Sequence, residues 1–461
     1  MARQAETRLQ ISAQRFQARR MTHALVRRDV AMHDDPLRAQ SLSLATGCVL
    51  AALVVAGCVV LGLVRPRGVP DSPIVIARES GALYVRIDDT LHPVLNLASA
   101  RLVARTPADP VPASEEAIAR SKRGPLVGIP GAPATIGAQA AAQAWTVCDG
   151  GGTTVVAGDR GQDRLDASRP VLVTPRGESA ATTYLLYDGQ RAEVDLRNPA
   201  VVRALRLDDV APVAVSRTLL DVVPEVPAIA PPHVAGAGEA GPPALGGTPV
   251  GAVILVRRTD VAEHYVVLRD GIQFVGDVAA DLIRFTHARQ AEPIAAVAPA
   301  TVTAVPIVAD LPVATFPQRA RVPAGARDGQ VVCAEWRPAG STSNIVVSQG
   351  ESAQLAGWEP AALAQADGEG PNVDAVVLPG GASAYVRSAR VLGDDGVSGA
   401  RFLVSDAGVL FGVRDDEAAK SLGLTQPPAA TPWPYLAHLP RGPELSTDAA
   451  SVFRDGLPTP P

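Results

Sequence analysis

The sequence predicts an α+β fold that is mostly β. It combines an N-terminal helix, one transmembrane helix and an elongated part with a disulfide-held central domain and four small strand–strand–helix repeats. Three observations support this prediction. A long uncharged apolar run lies near the N-terminus, and a strand–turn–strand pattern recurs four times after it. Gly and Pro, at 41 residues each among 461, interrupt long helices and central strands. With only 4 Trp, 6 Tyr and 7 Phe, several small turn-rich units fit better than one large aromatic core.

Charge is distributed unevenly along the chain. The formal net charge is −5, yet residues 1–38 hold eight arginines against four acidic residues, which leaves +4 there and −9 in the remainder. An acidic remainder offers no broad basic surface to neutralise phosphates, so nucleic acid is not expected as a partner. Residues 1–40 contain no Gly or Pro before Pro36, which predicts a helical segment with basic positions. This segment either faces anionic lipid head groups or docks a cytoplasmic partner.

The apolar run at residues 41–64 reads SLSLATGCVLAALVVAGCVVLGLV and carries no charge. As a helix it covers about 36 Å, which is enough to cross a bilayer with some tilt. The alternatives are a buried helix of a soluble protein and a cleavable signal peptide, which needs a shorter run and a small-residue cleavage site. Here Arg65-Pro66-Arg67 follows instead. We therefore predict a transmembrane helix, with the lipid bilayer as a partner.

Orientation follows from the whole N-terminal tail, because the arginines within 20 residues of the run balance on its two sides. Eight arginines in a short tail favour the cytoplasmic side, since long downstream domains translocate largely regardless of charge. Cys148 and Cys333 are the only cysteines outside the run, the smallest number that can form a disulfide. If they are bonded, the large part lies in an oxidising compartment; the alternative is two unrelated buried thiols.

Four copies of one small unit follow the apolar run. Each opens on an aromatic residue, turns at Asp or Gly, continues as a second strand and becomes helical. The opening residues are Tyr84, Tyr184, Tyr265 and Phe402, and the turns lie at Asp88, Gly189, Gly271 and Gly408. Asp-Gly between such runs predicts a hairpin, since Gly accepts the positive φ of a type I′ turn. Asn198 and Pro199 are typical of a helix cap and a first helical residue.

The spacing of the copies excludes a regular solenoid and indicates that two other segments form a central domain. The predicted divisions are repeats at 80–125, 181–223, 250–310 and 396–425, a split central domain at 126–180 and 315–395, a Pro/Gly linker at 224–249 and a Pro-rich tail at 426–461. Cys148 lies in one central segment and Cys333 in the other, so a bond between them would join the two.

Motifs of catalysis and of ligand binding are not evident. Neither Lys122 nor Lys420 stands in a phosphate-binding Gly-x-x-x-x-Gly-Lys-Ser/Thr loop, and the glycine run 150–152 has no lysine and is typical of a turn. The seven histidines show no metal-ligand spacing, and no serine stands in a Gly-x-Ser-x-Gly setting. We predict no catalytic, cofactor-binding or metal-binding residues, so the chain is not expected to be an enzyme.

Several blocks of sequence resemble the EccB family, the single-span membrane component of the actinobacterial type VII (ESX) secretion system. The blocks are residues 24–30, 35–40, 81–86, 90–102 and 128–133, which read ALVRRDV, DPLRAQ, GALYVR, TLHPVLNLASARL and GIPGAP. The resemblance implies a structural and assembly subunit in the inner membrane with a periplasmic part. It also implies the membrane subunits EccC, EccD and EccE, the mycosin protease and a second copy of itself as partners.

Two alternative functions remain open. Members of the family are often labelled ATPases, and under that interpretation ATP would be a ligand. The family's repeats are also similar in fold to a wall-binding subunit of a phage lysin, which suggests a peptidoglycan-binding module.

Overall fold

We analysed a computed structural model, which describes residues 8–28, 36–64, 68–140, 142–159, 165–177, 182–258, 261–286, 294–339, 342–351, 359–391 and 399–456. The chain divides into two compact units, residues 1–68 and residues 69–461. The predicted boundaries at 180–181 and 395–396 lie outside the described residues.

The described residues of the small unit form two helices. Helix α1 spans Arg8–Arg27 and helix α2 spans Pro36–Val64. Within α2, Gln40–Val60 is long and apolar enough to cross a membrane, and none of it is buried inside the protein. The structure therefore contains the predicted apolar helix, and the helix begins five residues before the predicted start. Pro36 suits that position because the first helical residue needs no backbone N–H.

The large unit begins with the first repeat and continues into a hairpin. Its first elements are β1 Ile74–Ala77, β2 Leu83–Ile87, β3 Thr90–Val94, α3 Leu97–Ala104, β4 Val111–Ala113 and α4 Glu115–Ala119. They are followed by β5 Leu126–Val127, β6 Ala138–Gln139, β7 Trp145–Asp149 and β8 Thr153–Ala157.

The second and third repeats come next. The second has β9 Val171–Pro175, β10 Tyr184–Tyr187, β11 Gln190–Glu193, α5 Pro199–Ala204, β12 Val213–Val215 and α6 Arg217–Val222. Strand β13, Glu225–Val226, and a 3₁₀ turn at Pro243–Leu245 lead to the third. That repeat has β14 Val253–Arg257, β15 Ala262–Val267, β16 Ile272–Val275, α7 Asp277–Thr286, β17 Ala295–Val297 and α8 Pro299–Thr303.

Four further strands precede the fourth repeat. They are β18 Val331–Ala339, β19 Thr342–Gly350, β20 Ala361–Ala362 and β21 Ala375–Val377. The fourth repeat has β22 Ala382–Ala389, β23 Arg401–Val404, β24 Leu410–Val413, α9 Asp416–Leu422, β25 Ala429–Pro432 and α10 Trp433–Ala437. Helix α11, Thr447–Ala450, and strand β26, Phe453–Arg454, end the described chain.

All four repeats share one topology, which is larger than the predicted strand–strand–helix unit. Their sheets have the orders β3-β2-β1-β4, β11-β10-β9-β12, β16-β15-β14-β17 and β24-β23-β22-β25, and the outer fourth strand runs parallel to the first. The sequence pattern captured only the second and third strands and the first helix of each. A hairpin and one short helix bury too little apolar surface alone, so two flanking strands complete each sheet.

Most of the repeat helices begin at a residue whose side chain caps the helix N-terminus. The side-chain oxygen of Asn198 accepts a hydrogen bond from the backbone N–H of Ala200, and Pro199 is the first helical residue, as the sequence predicted. Asn96 does the same for α3, and Asp415 for α9. The helices therefore begin where short polar side chains replace the missing intrahelical acceptors.

The central sheet has the order β19-β18-β7-β8-β21-β20, so strands from before the second repeat pair with strands from after the third. Several strands fall on the other side of the predicted divisions, among them β9 and β22. Strand β9 lies within 126–180 but pairs with β10 of the second repeat, and β22 lies within 315–395 but pairs with β23 of the fourth. The first repeat likewise starts at Ile74, before residue 80.

The repeats pack in pairs on either side of the central sheet's core. Helix α5 packs on α7, so the second and third repeats share a core that includes Leu205 and Ile283. Helix α3 packs on α9, so the first and fourth share another that includes Leu102 and Leu422. A third core joins the central strands to α6 and α10 around Trp145.

The segment predicted as a flexible or extended linker is packed, and the segment predicted as an extended tail returns to the sheet of the first repeat. In the linker 224–249, Ile229 and Val234 are buried with the second and third repeats, and the backbone N–H of Ile229 bonds to Glu193. In the tail, β26 pairs with β5 of the first repeat. Proline and glycine in these stretches prevent long helices without preventing packing.

Candidate functional site: the disulfide centre and the repeat turns

Cys148 and Cys333 form a disulfide at the middle of the central sheet, which confirms the predicted pairing. They are directly opposite residues of β7 and β18, with a Cα–Cα distance of 4.1 Å, and both are buried. Their strands are already antiparallel neighbours from Val332–Asp149 to Trp336–Trp145. The bond therefore locks an existing pairing between segments 185 residues apart in sequence, rather than joining separate surfaces.

Asp149, the residue after Cys148, carries a buried charge that our sequence analysis missed. Its side chain is 1% exposed and pairs with the guanidinium of Arg176, which is 15% exposed. It also accepts a hydrogen bond from the backbone N–H of Ser216, the residue that caps α6. The carboxylate thus connects the central sheet to the second repeat. A carboxylate ending the otherwise uncharged run Trp145–Cys148 was the available signal.

Tyr435 lies in the same core, where α10 approaches β7. It is buried, and this burial, together with the charge of Glu335, raises the pKa of its phenol. The phenol therefore stays neutral and contributes packing rather than acid–base chemistry at ordinary pH.

The four opening aromatics stay in their own repeats and do not converge on one site. Tyr84 lies in β2, Tyr184 in β10, Tyr265 in β15 and Phe402 in β23. Tyr184 lies under the guanidinium of Arg191, whose central carbon is 5.4 Å from the ring centroid, and the ring centroid of Phe402 is 5.6 Å from that of Trp433. Both are local packing contacts within a repeat.

The repeat turns use two different solutions. Asp188 and Gly189 have φ of 47° and 73° in the two-residue turn between β10 and β11, which matches the predicted type I′ geometry. Asp88 and Gly408 also have positive φ, of 53° and 76°. Gly271 does not have a positive φ, so the predicted type I′ geometry was wrong at this turn. It is required there because a Cβ would overlap the carbonyl oxygen of Pro306, where the chain returns beside β16.

Gly189 is required for both reasons: it has a positive φ, and a Cβ on it would overlap the carbonyl oxygen of Ile345 in β19. We expect Gly189→Ala to lower the free energy of unfolding by about 2–3 kcal/mol, as it combines backbone strain with a clash. Gly177 is the matched control, because it has φ of 80° but open space around its Cβ position. Gly177→Ala should cost about 1 kcal/mol, and equal losses in denaturant titrations would contradict a close approach at Ile345.

Tyr187, which precedes this turn, donates a hydrogen bond of 2.8 Å to the carbonyl oxygen of Thr315. Burial is the main cause that raises the pKa of Tyr187 to about 12. Because the pKa in the folded state lies above that of a free phenol, the associated stability is present below pH of about 10 and is lost as pH rises towards 12. We expect Tyr187→Phe to flatten the alkaline fall in unfolding free energy measured by denaturant titration. An identical fall in both proteins would contradict this assignment.

The features excluded as nucleotide sites have structural roles. Lys122 pairs with Asp89 at 3.3 Å, and Lys420 lies in the last turn of α9. The glycine run 150–152 forms the turn between β7 and β8, where Gly151 has φ of 79°. Across the described ranges, no group of three or more His, Cys, Asp or Glu side chains could hold a metal ion.

One helix apolar enough to cross a membrane and a large disulfide-linked unit of four related sheets define a membrane-anchored repeat protein. The family model for the type VII secretion system ESX-1 transport TM domain B, EccB, matches residues 3–459, so the chain belongs to the EccB family.

Curated relatives match over nearly the whole chain. The chain is 36% identical to the ESX-3 secretion system ATPase EccB3 of Mycolicibacterium smegmatis, over 99% of this chain and 92% of the relative. It is 35% identical to the ESX-2 secretion system ATPase EccB2 of Mycobacterium tuberculosis, over 98% and 95%.

Among solved structures, an intact ESX-5 inner membrane complex contains a chain with 31% identity and a TM-score of 0.71, covering 100% of this chain and 98% of that one. A structure of the EccB3 dimer from the ESX-3 core complex has 32% identity and a TM-score of 0.70, covering 83% and 100%.

Proposed function

We propose that this chain is a structural and assembly subunit of an ESX secretion membrane complex, anchored by α2 in the inner membrane. The proposal rests on the match of the EccB family model to residues 3–459. It rests also on the similarity to chains in the structures of an ESX-5 inner membrane complex and of the EccB3 dimer from the ESX-3 core complex. Its partners would be a second copy of itself, the EccC, EccD and EccE subunits and the mycosin protease.

The proposed orientation has the N-terminus in the cytoplasm and residues 69–461 in the periplasm. The basic tail before α2 supports it, since arginines are retained on the cytoplasmic side. The disulfide supports it independently, because disulfides persist in oxidising compartments.

Deleting residues 1–38 tests the assembly role. We expect the shortened chain to reach the membrane and keep the Cys148–Cys333 bond, detected as a mobility shift on reduction, while the complex no longer co-purifies. An intact complex after the deletion would count against a docking role for this segment. Protease digestion of residues 69–461 from the periplasmic side tests orientation, and protection of that part would overturn it.

ATP hydrolysis is a second candidate only because curated relatives carry the word ATPase in their names. We propose that the chain is not itself a catalyst, since both of its lysines are exposed and neither stands in a phosphate-binding Gly-x-x-x-x-Gly-Lys-Ser/Thr loop. Phosphate release by the purified full chain should match that of a Lys122→Ala/Lys420→Ala variant. Activity that persists through purification and disappears with a single substitution would overturn this proposal.

A further inference from the structure

A cleft of about 630 Å³ lies where the second repeat meets the edge of the central sheet. This volume is within the range of small-molecule sites in proteins. Four short stretches form its walls: residues 167–170, 186–189, 317–319 with 321, and 344–347. Three arginines line it, at positions 169, 319 and 321.

Backbone contacts hold two of the arginines in place. Arg169 donates from Nε to the carbonyl oxygen of Val322 at 3.2 Å and from Nη2 to that of Pro323 at 3.1 Å. Arg321 donates from Nη1 to the carbonyl oxygen of Ser168 at 2.6 Å. Each arginine thus fixes the loop segment that carries the other, which pre-organises two guanidinium groups at the cleft without neutralising them.

The charges of these arginines are not matched by ion pairs. Arg169 is half-buried, and Arg319 and Arg321 are exposed. Among the described residues, no carboxylate oxygen lies within 4.0 Å of a nitrogen of the three cleft arginines. Asp188 is the one carboxylate in the described lining, so the cleft keeps a net positive charge.

The outer edge of β19 adds a neutral donor to the same cleft. Gln349 exchanges both backbone hydrogen bonds with Asp166 on this side of the strand. Because successive residues of a strand direct their backbone groups to alternate sides, Val347 directs its N–H to the side that Gln349 uses. Val347 lines the cleft, and Gly189 covers the edge at Ile345.

We propose that this cleft binds a ligand carrying two or more linked phosphate groups. Guanidinium groups bind phosphate oxygens in pairs, and three of them with one backbone N–H offer more donors than a single carboxylate can use. Free polyphosphate and the phosphate chain of a nucleotide share this chemistry. The site requires no hydrolysis and is independent of the assembly role proposed above.

Calorimetric titration of pyrophosphate into the detergent-solubilised full chain at low ionic strength tests the proposal. We expect saturable binding with one site per chain that weakens as salt is added. Arg319→Glu should reduce the affinity by at least about tenfold, as it replaces an attractive charge with a repulsive one. Arg319 makes no side-chain bond within the described structure, so the fold should be unaffected, which thermal unfolding verifies.

Arg78→Glu is the matched control, since Arg78 is exposed and lies in the first repeat, away from the cleft. It should leave pyrophosphate affinity unchanged. Absence of binding, or equal binding by wild type and Arg319→Glu, would overturn the proposal. Citrate binding as tightly as pyrophosphate would also overturn it, because the cleft would then select charge rather than phosphate.

Three further probes distinguish the sources of the phosphate. Equal affinities for tripolyphosphate and ATP support recognition of the phosphate chain alone, and tighter binding of ATP supports a nucleotide. Tighter binding of glycerol phosphate than of pyrophosphate overturns the requirement for linked phosphates and assigns the cleft to a lipid head group.

Discussion

Replacing Cys148 and Cys333 together with alanine should lower the free energy of unfolding of the large unit by about 2–5 kcal/mol. The bond closes a loop spanning 185 residues in sequence, so its loss frees a large part of the unfolded chain. Two buried sulfur atoms are also lost from a packed sheet, which adds to the cost. Denaturant titration followed by Trp fluorescence measures the change, because Trp145 and Trp336 are a buried cross-strand pair near the bond.

Cys48 and Cys58 provide the control for this result. Both are exposed on the apolar helix α2 and unbonded, so alanine there should leave the unfolding of the large unit unchanged. If the Cys148/Cys333 variant unfolds at the same denaturant concentration as wild type, the strand pairing alone stabilises the centre and the bond is dispensable.

Asp149→Asn should cost about 3–5 kcal/mol, comparable to loss of the disulfide. The substitution leaves the largely buried guanidinium of Arg176 without its counter-charge. It also weakens the acceptor for the Ser216 N–H at the start of α6. The measurement is the same denaturant titration, carried out on the full chain.

A double variant separates the charge from the packing. Arg176→Met combined with Asp149→Leu should recover part of the loss, because no unpaired buried charge remains. Asp195→Asn removes the carboxylate of the exposed pair with Arg197 and should have no measurable effect. A small loss for Asp149→Asn with no recovery in the double variant would contradict a stabilising role for the ion pair.

Local chemistry explains which features the sequence predicted. The apolar helix was predictable because no charge interrupts 24 residues, and the turn at Asp188-Gly189 because two consecutive residues must adopt positive φ. The cap at Asn198 required only neighbouring residues. Each of these depends on contacts within a few positions of sequence.

Features created by distant contacts were missed or explained wrongly. The first strand of each repeat was missed because its partners on one side come from a strand beyond the helix, as β4 does for β1. Gly271 is fixed by the carbonyl of Pro306, and Ile229 is buried by repeats on both sides of a stretch that is rich in Pro and Gly. The arginine cleft is assembled from four stretches that are separated in sequence, so no local motif predicts it.

The pairing of β7 with β18 also sets an order of events during biosynthesis. Strand β7 ends at Asp149 and its partner begins at Val331, with the second and third repeats between them. Synthesis proceeds from the N-terminus, so both inserted repeats can fold before the later strands of the central sheet have been made. The central sheet is therefore completed late, and the bond between Cys148 and Cys333 cannot form until the residues between them and Cys333 itself have been synthesised.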